Sequence, residues 1–214
     1  MNIFVLCTGR CGSTTFVEAC RHITNYSAAH ESRKRLLGRE RVNYPPNHIE
    51  ADNRLTWFLG RLEKAYGDSG IYVHLRRSDL ETAQSFVKRW KYKFGIIGAY
   101  SSGVLGGPSP EDSLLDVCLD YCDTVNSNIE AFLANKTKKM VFSLENAKED
   151  FAKFWDLIGA EGDFAAALSE WSKDYHSSRL KELEQQKAKR PFILRALHKL
   201  VRITKKFPAF IKAA

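Results

Sequence analysis

Asn2-Ile3-Phe4-Val5-Leu6-Cys7-Thr8-Gly9-Arg10-Cys11-Gly12-Ser13-Thr14-Thr15 is the stretch on which the fold turns. Residues 2–7 are a short apolar run of the kind that a strand buried on both faces requires. From Ser13 to about His22 the spacing predicts a helix, and the link between the two is tight and contains glycine. A helix N-terminus offers backbone N–H groups and the positive end of its dipole, which together make an anion site. Gly9 and Gly12 let the backbone approach phosphate oxygens closely, while Cys11 supplies one more backbone amide between them. Ser13, Thr14 and Thr15 add hydroxyl donors, and Arg10 adds a permanent charge. From this stretch alone, a plain strand-to-helix turn capped by Ser or Thr reads the same way.

Outward from the loop, strand and helix alternate. Residues 26–30 read as a second strand and 33–46 as a loop. Asp52 or Asn53 caps a helix carrying Leu55, Phe58, Leu59 and Leu62 and ending near Gly67. Residues 71–75 form a strand, and Ser78 caps a helix over 79–90. Gly- and Ser-rich residues 95–110 read as a surface loop, 112–133 as a long helix, and 139–144 as a strand. Asn146 and Glu149 look like a capping box for a helix that stops at Gly159, and 164–186 is helical. Short apolar strands between helices predict an α/β fold: three layers, with a mostly parallel sheet flanked by helices.

The 214 residues suit one domain, placed at 1–186, with a separate tail at 187–214. A content of 44% hydrophobic and 27% charged residues is that of a globular chain. No segment approaches the roughly 20 apolar residues of a membrane span. The N-terminal residues lack a basic leader and cleavage site, so a cytoplasmic protein is expected. The net charge of +8 is local: all 25 acidic residues precede position 185, and nine Lys and Arg follow it. The 24 remaining cations nearly cancel those acids, so a basic balance here implies no nucleic-acid partner. The five cysteines read as packed, reduced thiols, although Cys7/Cys11 and Cys118/Cys122 nominally have metal-ligand spacing.

The loop lacks the G-x-x-x-x-G-K-[ST] string of nucleotide triphosphatases and the Cys-x5-Arg string of phosphatases. It resembles the 5′-phosphosulfate loop of sulfotransferases that use 3′-phosphoadenosine 5′-phosphosulfate (PAPS). Gly9 and Cys11 depart from that motif at its Pro and first Ser, but the cation, glycine and hydroxyls remain. A second motif of that family pairs an Arg at a strand end with a Ser eight residues later in the next helix. Arg77 and Ser85 match it, and the resemblance covers about residues 2–90. It implies a P-loop-like sulfotransferase architecture and PAPS as cofactor, with no metal. Arg10 would act on the leaving 5′-phosphate and bridging oxygen, and Arg77 and Ser85 would hold the 3′-phosphate. The basic C-terminal PAPS motif of many members is absent.

The acceptor's hydroxyl or amine must lose a proton as sulfur is attacked, so a base is needed. Glu31 resembles the catalytic glutamate of several members. His30 beside it is the alternative, with orientation or acceptor binding as its other roles. His48 and Glu50 form a further cluster expected to contact the acceptor, a small molecule, carbohydrate or lipid. Residues 33–48 and 95–110 are the expected acceptor-contacting loops. His74 reads as a packed strand residue. Rival readings are a P-loop kinase or other phosphotransferase, and a non-catalytic nucleotide-binding protein acting through its tail. In the tail, Ile193, Leu197, Leu200, Val201 and Thr204 share helical spacing, with Arg195, Lys199, Arg202 and Lys206 on another face. Such a helix packs on its own core or lies on an anionic membrane surface, and both readings stand open.

Overall fold

The computed structural model describes residues 1–91, 95–109 and 111–173. The expected end of the 164–186 helix, the basic amphipathic tail and the boundary at 186/187 lie outside the described residues.

Strand β1 (Ile3–Leu6) is fully buried, and its side chains divide between two cores. Ile3 and Val5 enter one apolar cluster, and Phe4 and Leu6 enter another on the opposite face. That alternation places β1 in mid-sheet with helices on both sides. Helix α1 (Ser13–Cys20) follows, then β2 (Ser27–His30), β3 (His48–Ala51), α2 (Leu59–Tyr66) and β4 (Ile71–Arg76). Next come α3 (Asp79–Val87), α4 (Ile96–Ala99), α5 (Leu114–Leu133), β5 (Lys139–Ser143), α6 (Ala147–Ile158) and α7 (Phe164–Ser169). The five strands are all parallel, in the order β2-β3-β1-β4-β5. This is the expected three-layer α/β architecture. Among the described residues no helix is long and apolar enough to cross a membrane.

One core packs α1, α6 and α7 against the sheet through Phe16, whose ring meets Phe142, Phe151 and Phe154 edge-on at 4.9–5.9 Å between centroids. Edge-to-face pairs add to the roughly 1.5–3 kcal/mol from burying each large side chain. The other core packs α2, α3 and α5 through Leu62, Phe86 and Tyr121.

Several local expectations are corrected. Residues 48–51 form β3, because the polar His48 and Glu50 that disguise it are buried and bonded from β2 and just beyond it. The helix expected from Asp52 breaks at Phe58 into a 3-10 turn (Asn53–Trp57) and α2. Residues 95–110 are not wholly a surface loop: α4 and a π-turn (Tyr100–Val104) bury Ile97, Tyr100 and Ser101. Asn146 makes no side-chain cap on α6, whereas Gly159 ends that helix in the left-handed conformation with φ 60°.

Candidate active site

The loop after β1 is built from left-handed residues. Gly9, Arg10 and Gly12 have φ of 82°, 63° and 90°. These values bend the chain tightly between β1 and α1. Both glycines are needed twice over. A Cβ on Gly9 would lie 2.9 Å from Asn53 Nδ2, and one on Gly12 would lie 2.6 Å from Leu144 Cδ1. Arg10 has no such freedom, and its conformation costs about 1–2 kcal/mol. The loop is held from beneath: the Thr8 carbonyl accepts from Tyr121 OH at 2.8 Å and from Asn53 Nδ2 at 3.4 Å. Helix α1 starts directly from Gly12 and carries no acid in its first turn, so the positive end of its dipole is not neutralised locally.

The β4–α3 unit meets this loop. Arg10 Nε–H donates to Ser85 Oγ at 3.0 Å, and Arg77 Nη1–H donates to the Arg10 carbonyl at 3.3 Å. Two motifs 67–75 residues apart in sequence thus share hydrogen bonds. Arg77 also forks onto the exposed Glu81 carboxylate at 2.8–2.9 Å, while neighbouring Arg76 pairs with Glu130 instead. Ser78 caps α3 as expected, accepting from the Glu81 amide. Burial, with the charges of Arg89 and Arg77, pushes Arg10 down to about 10.

His30 ends β2, and its Nε2 lies 3.0 Å from Ser13 Oγ at the start of α1. Burial lowers its imidazole below the ordinary value, against the opposing fields of Glu31, Asp52 and Glu50. At neutral pH it is therefore an uncharged imidazole able to take a proton. Glu31 follows with φ 49° and turns its carboxylate to Lys34 at 2.8 Å and Arg54 at 2.9 Å. Burial alone would raise that carboxyl, but Lys34 and Arg54 more than offset it and hold it below the usual range.

His48 and Glu50 sit inside the molecule. His48 Nδ1 lies 2.8 Å from Ser27 Oγ, and His48 Nε2 lies 3.1 Å from Glu50, which also accepts from the Ser32 amide and hydroxyl. Glu50 is 0% exposed, and His48 starts β3 at the end of the sheet away from the loop. His74 is packed in β4 with Nε2 3.1 Å from Asn126 Oδ1. All five cysteines are buried, reduced thiols. Cys7 and Cys11 hydrogen-bond across the loop, which raises Cys7 and lowers Cys11. Sequence reasoning missed Tyr121 and Asn53 as supports of the loop; each is a single residue on a distant element, with no local signal.

No protein-family model and no curated protein matches the chain. Among solved structures, a sulfotransferase domain from the curacin biosynthetic pathway has a similar fold. The two superpose with a TM-score of 0.54 over 80% of this chain and 78% of that one, at 13% identity. That likeness concerns the fold.

Proposed function

We propose that this chain is a sulfotransferase that binds PAPS at the β1 loop and moves its sulfuryl group to an acceptor hydroxyl or amine. The observation that carries the reading is the Arg10–Ser85 hydrogen bond at 3.0 Å, which links the β1 loop to α3 and so supports reading the two motifs as parts of one site. The donor set fits a nucleotide with two separated anionic groups: loop amides, Ser13 and Arg10 for one, Arg77 and Ser85 for the other. PAPS supplies an activated sulfuryl group on a 5′-phosphate and a 3′-phosphate that marks it apart from ordinary adenylates.

Within this reading the loop amides and the α1 N-terminus bind the 5′ end and oppose charge that develops on the leaving oxygen. Arg10 adds a cation that its left-handed backbone holds in place. Arg77 presents a fork suited to bidentate phosphate binding at the end of β4. His30 is the better-placed base, because its neutral imidazole touches Ser13 while the Glu31 carboxylate is committed to two cations. A P-loop kinase reading gains nothing, since no Lys-Ser/Thr pair enters the loop.

Titration calorimetry with the full chain tests the donor. 3′,5′-Adenosine bisphosphate should bind more tightly than 5′-AMP, and Arg77→Ala should remove most of that preference, a loss of about 1.5–3 kcal/mol. Equal affinity of the native protein for the two ligands overturns the reading.

A further inference from the structure

Arg10, from the β1 loop, reaches Ser85 of α3, and Arg77, from the end of β4, holds Glu81 one turn earlier on the same helix and bonds to the Arg10 carbonyl. Four residues beyond Ser85 the chain carries a third arginine, Arg89. It lies in the turn that prolongs α3, where the Lys88 amide bonds to the Gln84 carbonyl and the Arg89 amide to the Phe86 carbonyl. A four-residue step along a helical run returns a side chain to the same face one turn on. Arg89 therefore shares the face of Ser85, and it is half-buried.

The acids of α3 are engaged elsewhere. Glu81 holds Arg77 at 2.8 Å, and Asp79 accepts from Asn126 at 2.8 Å. No carboxylate among the described residues pairs with Arg89. The charge of Arg89 is felt at Arg10, where it ranks next to burial in disfavouring the protonated guanidinium. The like charges of Arg77 and Arg89 act on Arg10, and an anion of more than one charge relieves such repulsion.

We propose that Arg89 is a third ligand of the anion held by Arg77 and Ser85, and that it makes the site select a terminal phosphate monoester. The proposal rests on the reading of Arg77 and Ser85 as the place of a nucleotide 3′-phosphate. Such a group carries about −1.5 to −2 charges at neutral pH, more than one guanidinium and one hydroxyl balance. A second fork, from Arg89 in the turn that prolongs α3, completes the match.

The test is calorimetry of the full chain with 3′,5′-adenosine bisphosphate and with 5′-AMP, for the native protein, Arg89→Ala and Arg89→Lys. Arg89→Ala should lose about ten- to a hundredfold in affinity for the bisphosphate, with 5′-AMP unchanged and the melting temperature close to native. Arg89→Lys should recover part of the loss, since a point charge replaces a fork. A native preference for the bisphosphate that survives Arg89→Ala overturns this inference alone. A native protein with no preference overturns the 3′-phosphate reading, and this inference with it.

Discussion

The loops that follow β1 and β3 lie side by side at the same end of the sheet, and they spend their polar groups in opposite ways. After β3, Asp52 takes the Arg41 guanidinium at 2.6 Å and caps the Arg54 amide at 2.8 Å. Thr56 donates to the Asn53 carbonyl, and the Arg41 guanidinium stacks 4.9 Å from the Phe58 ring centre. After β1, by contrast, the backbone is strained at Arg10 and α1 begins at Gly12 without a side-chain cap. One loop is satisfied from within and supports its neighbour through Asn53. The other turns on left-handed residues and is held from beneath by Tyr121 and Asn53. Strain in one loop is tolerated because the adjacent loop is over-determined.

The comparison breaks most sharply at Arg41, which is 2% exposed against an Asp52 that is 0% exposed. Burial already raises the Asp52 carboxyl, and Arg41 opposes that rise. Arg41→Ala leaves a buried carboxylate without its cation, so a loss of about 3–5 kcal/mol in urea unfolding is expected. A loss below about 1 kcal/mol would mean that the β3 loop does not carry the load assigned to it.

Arg10→Gly probes the other loop and should dissociate the two properties. Glycine adopts φ 63° without cost, so stability should stay within about 1 kcal/mol of native. Affinity for 3′,5′-adenosine bisphosphate should fall about tenfold or more, because a charged hydrogen-bond donor is gone. Equal effects on both measurements would erase the distinction between the supporting and the working loop.

The smallest effect concerns pH. The folded pKa of His30 lies below its unfolded value of about 6.5, so the unfolded chain binds more protons between the two. Its neutral form therefore contributes fully above pH 6.5, and stability declines as pH falls through 6.5 towards the folded value. His74, lowered by burial in the same direction, adds to this slope. Thermal melts between pH 5 and 7.5 should show a shallower slope for His30→Gln than for the native protein. An unchanged slope would place His30 outside the coupled site.

The parts legible in the sequence are those whose partners are close in the chain. β1 declares itself because a strand buried on both faces is apolar throughout, and Ser78 marks the start of α3. The loop and the Arg77/Ser85 pair were visible as patterns, but their junction through Arg10 was not. β3 was hidden because His48 and Glu50 look exposed until Ser27 and Ser32, 18–21 residues earlier, supply their hydrogen bonds. Residues 95–110 read as a surface loop from their Gly and Ser content, yet Tyr100 packs its ring 5.3 Å from Tyr121 of α5. The Ser13–His30 contact had no sequence signal, and only the return of β2 to the start of α1 creates it.

The place of β1 in the sheet also governs the order in which the molecule can be made. Ile3 pairs with Ile49 on one side and Ile71 on the other. The central strand is thus made before both strands that flank it, and neither partner exists until some 45–70 further residues have been synthesised. Until then its uniformly apolar segment has no edge to join, and closing those long loops must precede any gain from pairing. The stretch that decides the fold is also the one that must wait longest to adopt it.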